Sequence, residues 1–370
     1  VLQKKVVADD KDLIIEALDS ISSKTSLVFL TGGLGPTKDD ITKSTLTEYF
    51  GGELVFSEKV YTELQEFFAR RGRVLSESNR GQAVLPNNAK RIENSMGTAS
   101  GMLFEKDNTK YYVMPGVPYE MKGMMSYDIL PDITQTTGLR EHDFQINTFG
   151  LPESDIADQI SSEFSEDLQE VKIGYYPSVK GITVRFSTRD SILGKSLEEK
   201  ISQLFGKYVH SVKGENLENV FVKMCIEREL SFSCAESCTG GRLSDMITSV
   251  PGSSAILEES YITYSNDAKQ RILGVPESIL QEFGAVSEET VKAMVIGLYE
   301  HTKADICMAV SGIAGPGGAS EEKPVGLVYI AVKYRDTIQV SRLNYNRGRE
   351  RNKEYAARAA INMARILITD

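Results

Sequence analysis

Two nucleophilic side chains, Ser237 and Cys238, stand side by side in the run Cys234–Arg242, directly before a Thr-Gly-Gly sequence. Residues 229–233 alternate between polar and apolar and predict a short buried strand, whereas the apolar spacing over residues 243–250 predicts a helix. Glycines let a backbone approach a ligand closely, and the unpaired N–H groups of a helix start can hold an oxyanion or a phosphate. The run therefore predicts either a nucleophile beside an anion-binding turn or an ordinary strand-to-helix turn of small residues.

A serine nucleophile needs a base, which is most often a histidine. The chain contains three histidines, His142, His210 and His301. None is close in sequence to a glycine loop, which disfavours a Ser-His-Asp triad. Lys269 is the preferred base, because Ser265 or Asn266 is expected to cap a helix with Lys269 in its first turn, where the helix dipole and burial lower a lysine pKa. Tyr264, just before the cap, could relay a proton; the alternative for Lys269 is a solvated surface lysine.

The thiol of Cys238 is the alternative nucleophile, since a helix N-terminus also lowers a thiol pKa. It has no evident histidine partner, so Ser237 is preferred. The four cysteines, which show neither metal-ligand spacing nor the density of a disulfide scaffold, are Cys225, Cys234, Cys238 and Cys307. They are interpreted as reduced thiols, most of them in the core.

The composition limits the classes of function. The 370 residues are too many for one ordinary domain and suggest two or three, with a net charge of −10 that argues against nucleic acid or a membrane as the main partner. No run is apolar and long enough to span a bilayer, and no signal peptide is visible, so a cytoplasmic location is expected. The chain begins at Val1 rather than at Met, which predicts a trimmed chain.

The front of the chain carries two glycine turns, each expected between a strand and a helix. A helix is predicted over Asp10–Ser23 and a buried strand over Leu27–Leu30, which leads into the loop Thr31–Asp40 and a helix through Phe50. A second turn, Met114–Pro118, follows a strand at residues 111–113 and precedes a helix at residues 119–130. Two such turns indicate one crevice at the carboxyl edge of a parallel sheet.

The residues predicted to line this phosphate-binding crevice are Gly32, Gly33, Gly35, Asp39, Asp40 and Gly116. Asp39 and Asp40 either hold a divalent cation that bridges phosphates or complement the dipole of the following helix, and capping is the commoner role. Asp40 is the candidate metal ligand of this domain.

The Thr31–Asp40 loop and the Pro115–Pro118 turn resemble the molybdopterin-binding fold of the molybdenum-cofactor biosynthesis family, in the version found at the front of CinA (competence/damage-inducible) proteins. The resemblance runs from about Val1 to Pro131. It implies an ADP-ribose pyrophosphatase that depends on Mg²⁺ or a similar divalent cation. The first strand, a Gly-Thr-Glu run and the first helix of that family are absent from this sequence, and because the missing run lines the same crevice, the activity of this domain is left open.

The middle segment, residues 139–213, has the alternation of strands with one solvated face and is predicted to be a small α+β module. CinA-type proteins carry a KH-like domain at this place, which implies either RNA binding or a spacer and dimerisation role. Because the Gly-x-x-Gly loop is missing and the basic residues are scattered, nucleic acid is not expected as a partner and a homodimer is.

The remaining segment, residues 214–370, alternates strands and helices around glycine loops and predicts a second α/β domain, in which Ser287 is expected to cap a helix. The motifs Ala235–Gly241, Thr263–Lys269, Gly284–Ser287 and Ser311–Gly318 together resemble the CinA C-terminal domain, the nicotinamide-nucleotide amidase family. The resemblance implies conversion of nicotinamide mononucleotide to nicotinate mononucleotide and ammonia, without a cofactor or metal, by a catalytic group at Ser237, Lys269 and Tyr264. The substrate-binding residues expected on this basis are Glu236, Thr239, Gly240, Gly312, Gly315 and Arg349, with Arg349 on the phosphate.

The sequence thus predicts a multi-domain α/β protein. Its expected domains are a molybdopterin-binding-like parallel-sheet domain at 1–138, a KH-like α+β domain at 139–213 and an α/β amidase domain at 214–370. Three functions remain open: an amidohydrolase of pyridine-nucleotide salvage, a metal-dependent ADP-ribose pyrophosphatase, and a non-enzymatic adaptor in competence or DNA repair. The partners expected are small nucleotides and a second copy of the chain.

Overall fold

A computed structural model describes residues 1–22, 25–37, 39–137 and 141–369. The chain divides into two compact units, Val1–Arg140 and Glu141–Asp370. Ser23, Lys38 and Leu139, which the sequence analysis placed in a helix, in the glycine loop and at the start of the middle segment, lie outside the described residues. In the described part of the chain, no helix has both the length and the apolar character that crossing a membrane would need.

The first unit is a mixed α/β fold. Its helices are α1 (Lys11–Ser22), α2 (Thr42–Tyr49), α3 (Glu58–Ala69), α4 (Glu77–Arg80), α5 (Pro118–Met124) and α6 (Leu130–Thr137). Its strands are β1 (Leu27–Thr31), β2 (Leu54–Phe56), β3 (Val84–Pro86), β4 (Lys90–Ile92), β5 (Gly101–Lys106) and β6 (Thr109–Met114). A π-helical turn at Met125–Ile129 separates α5 from α6, so the single helix predicted over residues 119–130 is interrupted.

The main sheet of this unit has the strand order β1-β6-β5-β4. β1 and β6 are parallel, with Thr31 opposite Met114, whereas the other two pairings are antiparallel, so the predicted parallel sheet is a mixed one. Parallel pairing brings the carboxyl ends of β1 and β6 together, and the Gly32 N–H donates to the Met114 carbonyl over 3.0 Å. The prediction that the two glycine loops meet at one sheet edge is confirmed.

The strand predicted as buried at Leu27–Leu30 is only half buried. Val28 is in the core with Leu18 of α1 and Leu46 of α2, but Phe29 is 45% exposed. The reason is that β1 lies at the edge of its sheet and points successive side chains to opposite faces.

The second unit begins with the middle module, which is the small α+β fold that the alternation predicted. Its elements are β7 (His142–Thr148), α7 (Glu153–Glu163), β8 (Lys172–Ser178), β9 (Gly181–Thr188), α8 (Ser191–Phe205) and β10 (Val209–Ser211). The strands form an antiparallel sheet in the order β10-β7-β9-β8, and its apolar face packs against α7 and α8 through Ile146, Ile156 and Leu197.

The rest of the second unit is a three-layer α/β/α domain. Its helices are α9 (Leu217–Glu227), α10 (Arg242–Thr248), α11 (Asn266–Leu273), α12 (Glu277–Glu282), α13 (Glu288–Thr302) and α14 (Arg349–Leu367). Its strands are β11 (Phe232–Glu236), β12 (Leu257–Ile262), β13 (Ile306–Gly312), β14 (Leu327–Tyr334) and β15 (Thr337–Asn344). The predicted Ser287 cap is confirmed, since its hydroxyl accepts from the Thr290 N–H over 3.1 Å.

Two apolar layers cover the five-stranded sheet, whose order is β12-β11-β13-β14-β15. β11 is paired in parallel with both β12 and β13, and the last two pairings are antiparallel. Helices α9, α10 and α14 bury one face, and α11, α12 and α13 bury the other. The central strands are buried on both sides, as expected for the interior of an α/β sheet.

Helix α14 also contacts the middle module. The ring of Phe149, just after β7, belongs to the C-terminal core and stacks on Tyr355 with 5.2 Å between ring centroids. Arg365 donates to the carbonyls of Lys207 and Val209. The expected boundary at residue 213 therefore separates two sequence patterns, whereas the packing is continuous across it.

Candidate active site

Ser237 is the first residue after β11, at the carboxyl edge of the parallel part of the sheet. β11 is wholly buried because its side chains serve both apolar layers, so its position is fixed on both faces. The Ser237 N–H donates to the Val310 carbonyl over 2.9 Å, which holds the serine against β13. The predicted order of strand, turn and helix around Ser237 is confirmed, but the strand runs from Phe232 to Glu236 rather than over residues 229–233.

Lys269 reaches the same point from α11. Ser265 caps this helix by accepting from the Ala268 N–H over 3.0 Å, and Lys269 follows in the first turn, as predicted. The lysine is 0% exposed, and its Nζ lies 3.0 Å from Ser237 Oγ, 2.9 Å from the Thr263 carbonyl and 3.3 Å from the Tyr264 carbonyl. Burial lowers the pKa of Lys269, and the charge of the Cys238 thiolate would oppose this shift. The alternative of a solvated surface lysine is therefore wrong.

The start of α10 is already occupied by a carboxylate of the protein. Glu236 accepts hydrogen bonds from the N–H groups of Gly241, Leu243 and Ser244 over 3.0, 3.1 and 2.9 Å. It is 0% exposed and is used within the protein, so the structure shows it in a different role, and its expected contact with the substrate stays a prediction. The expectation that the helix start itself holds an external anion stays a prediction as well.

The turn between Ser237 and α10 has its own hydrogen bonds. The Gly240 N–H donates to the Ser237 carbonyl over 3.2 Å, and the Arg242 N–H donates to that of Thr239 over 3.3 Å. Among the hydrogen bonds of the described residues, the backbone N–H groups of Cys238 and Thr239 have no carbonyl partner. These two are the groups of the turn that could face a developing oxyanion.

Tyr264 is placed differently from the other two expected catalytic residues. Its side chain is 60% exposed, and its hydroxyl accepts from Arg349 over 3.4 Å; the contacts of the described residues give it no bond to Ser237 or Lys269. Arg349, the first residue of α14, also donates to the Gly315 carbonyl over 2.7 Å. The Tyr264 hydroxyl thus groups with Arg349 and Gly315, whereas its backbone carbonyl accepts from Lys269, which contacts Ser237.

The thiol of Cys238 is a poor nucleophile in this setting. It is buried in the apolar layer with Leu243 and Ala314, and burial raises its pKa to about 12, further raised by Glu236 and opposed by Lys269 and Lys353. The structure therefore favours Ser237 over the thiol.

The remaining expected substrate residues serve mainly as packing and turn positions. Thr239 is buried, and its hydroxyl has no hydrogen-bond partner within the described residues. Gly312 is the last residue of β13, where a Cβ would meet the side chain of its β14 partner Val328 at 2.6 Å, so a glycine is required by strand packing. Gly240 has φ of +58° and open space around it, which fits a turn that approaches a ligand.

Two residues near the site were not found by sequence reasoning. Lys353 is one helical turn after Arg349, and its Nζ would be 3.9 Å from a Cβ added at Gly240. Asn352 is buried and ties the glycine loop to α14, because it donates to the Ala314 carbonyl and accepts from the Arg347 N–H. The signal for Lys353 was its i, i+4 spacing from Arg349, which places both cations on one helix face.

The crevice of the first unit contains the expected glycines, but its carboxylate Asp40 accepts hydrogen bonds from its own loop. A Cβ on Gly116 would lie 3.4 Å from Gly32 Cα, whereas one on Gly33 or Gly35 would overlap Thr42 or Asp40. Asp40 Oδ2 accepts from the Thr37 N–H over 3.0 Å and from the Thr37 hydroxyl over 2.5 Å. Burial acts to raise the pKa of Asp40, but the hydrogen bonds from Thr37 outweigh it and the pKa is lowered.

Asp39 is exposed, and the part of the chain that the structure describes has no group of three or more His, Cys, Asp or Glu side chains arranged to hold a metal ion. Asp40 therefore stands alone as a candidate ligand and is committed to its own loop. The described residues do not form a resident metal site, and the divalent-cation requirement stays a prediction.

The fold and the site together define a three-part α/β protein with a buried serine–lysine pair at a sheet edge. Family models match each part: the CinA C-terminal domain over residues 214–368, a molybdopterin binding domain over 1–135, and the damage-inducible protein CinA KH domain over 145–211. The chain belongs to the CinA family of competence-damage inducible proteins.

Relatives match over nearly the whole chain. A competence-damage inducible protein of Caldicellulosiruptor bescii is 35% identical and covers 98% of this chain and 90% of its own length. A CinA-like protein of Cytophaga hutchinsonii is 37% identical over 98% of this chain and 88% of its own. The crystal structure of the competence/damage inducible protein CihA from Agrobacterium tumefaciens is 40% identical, with a TM-score of 0.41, over 41% of this chain and 93% of its own.

Proposed function

We propose that this protein is an amidohydrolase that converts nicotinamide mononucleotide to nicotinate mononucleotide and ammonia. The observation that carries the proposal is the contact of a fully buried lysine with a serine, 3.0 Å between Lys269 Nζ and Ser237 Oγ. The substrate class rests on the family resemblance of the motifs around these residues.

Lys269 is proposed to act as a neutral amine, the form that its burial favours. A neutral amine has two N–H donors and one lone pair, whereas an ammonium has three donors and none. The carbonyls of Thr263 and Tyr264 can only accept, so in the neutral form they take both N–H groups and leave the lone pair for the Ser237 hydroxyl. The hydroxyl then donates to Lys269, which is the arrangement that a general base requires.

The reaction follows from this arrangement. Ser237 Oγ attacks the carboxamide carbon while its proton passes to Lys269, which becomes an ammonium. That proton then goes to the amide nitrogen, the C–N bond breaks, and ammonia leaves an acyl-enzyme. Neutral Lys269 next takes a proton from water, which attacks the ester carbon. The proton returns to Ser237 Oγ as the C–O bond breaks, and the carboxylic acid product departs and gives up its remaining proton to solvent. Tyr264 in the proton path stays a prediction.

The tetrahedral intermediate carries a negative oxygen. The backbone N–H groups of Cys238 and Thr239 are the proposed donors to it, because those of Gly240, Gly241 and Leu243 are already used within the loop. Donors on a short turn tied at both ends need little reorganisation during the reaction.

The phosphate end of the substrate is assigned to α14. Arg349 uses one guanidinium nitrogen on the Gly315 carbonyl and directs another toward the Tyr264 hydroxyl, which orients its planar fork. Lys353 adds a second cation one turn along the same face, near Gly240. A phosphate monoester with nearly two negative charges fits two cations better than one, and anchoring it would orient the distant carboxamide.

The test is ammonia release from nicotinamide mononucleotide by the purified full-length protein, with the pyridine product identified by mass spectrometry. Equal rates with and without a chelator are expected, since the proposed chemistry uses only side chains. Nicotinamide riboside, which lacks the phosphate, is the matched substrate control and should react far more slowly. Absence of nicotinate mononucleotide under both conditions would refute the proposal, and loss of activity in chelator would refute the metal-independent mechanism.

A further inference from the structure

Both carboxylate oxygens of Glu236 accept hydrogen bonds from other groups of the protein. Oε2 accepts from the N–H groups of Gly241 and Leu243 over 3.0 and 3.1 Å. Oε1 accepts from the N–H and the hydroxyl of Ser244 over 2.9 and 2.5 Å. These four bonds come from residues at the start of α10, which follows the turn that carries Ser237, and a fifth, weaker one comes from the Cys234 thiol over 3.9 Å.

Burying a carboxylate is costly unless its charge is compensated. No Lys or Arg forms an ion pair with Glu236 among the described residues, so the compensation comes from the N–H groups and the dipole of α10. The Glu236 carboxylate therefore takes the place that an external anion could occupy at the start of α10. This arrangement fixes the distance between the end of β11 and the start of α10.

The backbone at the other end of the turn is held as well. The Thr263 N–H donates to the Glu236 carbonyl over 2.8 Å, and the Ser237 N–H donates to the Val310 carbonyl over 2.9 Å. The turn 237–240 is therefore suspended between two fixed points: the three strand ends on one side and the Glu236 carboxylate with α10 on the other. Only a few torsion angles remain free to move Ser237 Oγ relative to Lys269.

A network of polar side chains from β11, α10 and β12 surrounds the Glu236 carboxylate. The hydroxyl of Ser244 contacts that of Ser260 on β12, and Cys234 Sγ lies 3.2 Å from Ser260 Oγ and 3.4 Å from Ser244 Oγ. This network ties the carboxylate to β11 and β12 as well as to α10.

We propose that Glu236 is a positioning residue that holds Ser237 and the N–H groups of Cys238 and Thr239 in their reactive arrangement without touching the substrate. This inference deepens the proposed amide hydrolysis and rests on it. Because misplacement by about 1 Å can cost about 100-fold in rate, loss of the clamp should lower the rate of the serine and leave binding to α14 intact.

The decisive variant is Glu236→Gln, which keeps the shape but faces backbone N–H donors with an amide NH₂. Two readouts are combined in full-length protein: the second-order rate at which a fluorophosphonate labels Ser237, followed by mass spectrometry, and kcat and KM for nicotinamide mononucleotide. We expect labelling and kcat per folded molecule to fall roughly 10- to 100-fold, with KM changed less than about threefold. Ser244→Ala, which removes only one of the four donors, should show the same pattern with a smaller loss.

Glu218→Gln is the matched control. Glu218 is a buried carboxylate of the same domain that pairs with Arg358 over 2.6 Å, and none of its hydrogen bonds or ion pairs among the described residues involves the turn 237–240. It should lower the melting temperature but leave the labelling rate of the folded fraction unchanged. The labelling rate is a readout that loss of stability alone does not move.

The inference is overturned if folded Glu236→Gln labels at the wild-type rate, or, should that variant not fold, if Ser244→Ala does. It is also overturned if KM rises as much as kcat falls. Failure of the proposed function looks different: the wild type would label at Ser237 yet release no ammonia, and the ratio of the labelling rates would still decide the role of Glu236.

Discussion

The loops Thr31–Asp40 and Glu236–Ser244 contain similar residue types but differ in structure. Each follows a strand, contains glycines with positive φ and an acidic residue, and leads to a helix. In the C-terminal domain the acid, Glu236, reaches forward to the helix N–H groups and is wholly buried. In the first unit Asp40 reaches back to Thr37, and the strand before it lies at a sheet edge.

The difference lies in where each strand stands in its sheet. β11 has a parallel neighbour on both sides, so β13 holds Ser237 through the Val310 carbonyl, and Thr263, just after β12, holds the preceding Glu236 carbonyl. β1 has one such neighbour, β6, and the Met114–Pro118 turn that follows β6 meets its loop. In the C-terminal domain a further element, α11, places the buried amine of Lys269 beside the glycine loop, and the proposed reaction depends on this amine.

The largest expected effect tests whether that delivered group matters. Ser237→Ala and Lys269→Met should each lower kcat for deamidation by at least about a thousandfold, and the double variant should be little worse, because the two groups act as one unit. Steady-state kinetics on all three proteins provides the measurement.

Cys238→Ala is the control for this series and should retain turnover within several-fold of the wild type, since its thiol is buried with a raised pKa. An inactive Cys238→Ala beside a fully active Ser237→Ala would assign the chemistry to the thiol.

The second effect concerns Arg349 and Lys353, the two cations in the first turns of α14. Lys353→Met and Arg349→Ala should each raise KM about 10- to 100-fold, the loss expected for one hydrogen bond between charged groups. Arg351→Ala, an exposed cation on the same helix, controls for general charge and should leave KM unchanged. If all three variants raise KM equally, the effect is long-range electrostatics rather than a binding contact.

A third test compares the glycines of the two loops. Gly33→Ala adds a Cβ 2.0 Å from Thr42 Oγ1 at φ of +66°, which should cost roughly 2–4 kcal/mol locally. Gly240→Ala meets nothing closer than 3.9 Å and should cost only about 1 kcal/mol for its left-handed backbone. Hydrogen exchange of peptides covering residues 27–50 and 232–250 measures both, and equal losses of protection would contradict the packing difference.

The smallest effect on deamidation is expected from the first unit. Asp40→Ala should leave ammonia release unchanged within about twofold, because Asp40 bonds only within its own loop in the described contacts. Metal-dependent cleavage of ADP-ribose by this unit stays a prediction, and the same variant should abolish it. An ADP-ribose cleavage assay with added Mg²⁺ on the wild type and on Asp40→Ala separates the two roles. A catalytic role of Asp40 requires that the variant loses cleavage, whereas unchanged cleavage would limit Asp40 to closing its loop.

Sequence reasoning found the elements around the site because their signals are local. The strand before Ser237, the Ser265 cap and the position of Lys269 on its helix follow from periodicity and capping. It did not foresee the hydrogen bonds of Glu236 to the start of α10, because the sequence does not show whether an acid beside a serine faces a substrate or a helix start. The edge position of β1 and the approach of Lys353 to Gly240 depend on strand order and helix packing, which no short window of sequence contains.

Helix α14 has a consequence for how this protein can be divided. Its 19 residues span about 28 Å, with the proposed phosphate ligands at the first turn and Arg365 on the middle module at the last. A gene fragment starting at codon 214 would uncover the Tyr355 ring that Phe149 shields. Recombination at this boundary would therefore separate the proposed active site from the residue that shields Tyr355. A free-standing C-terminal domain would need another residue to cover this exposed aromatic ring.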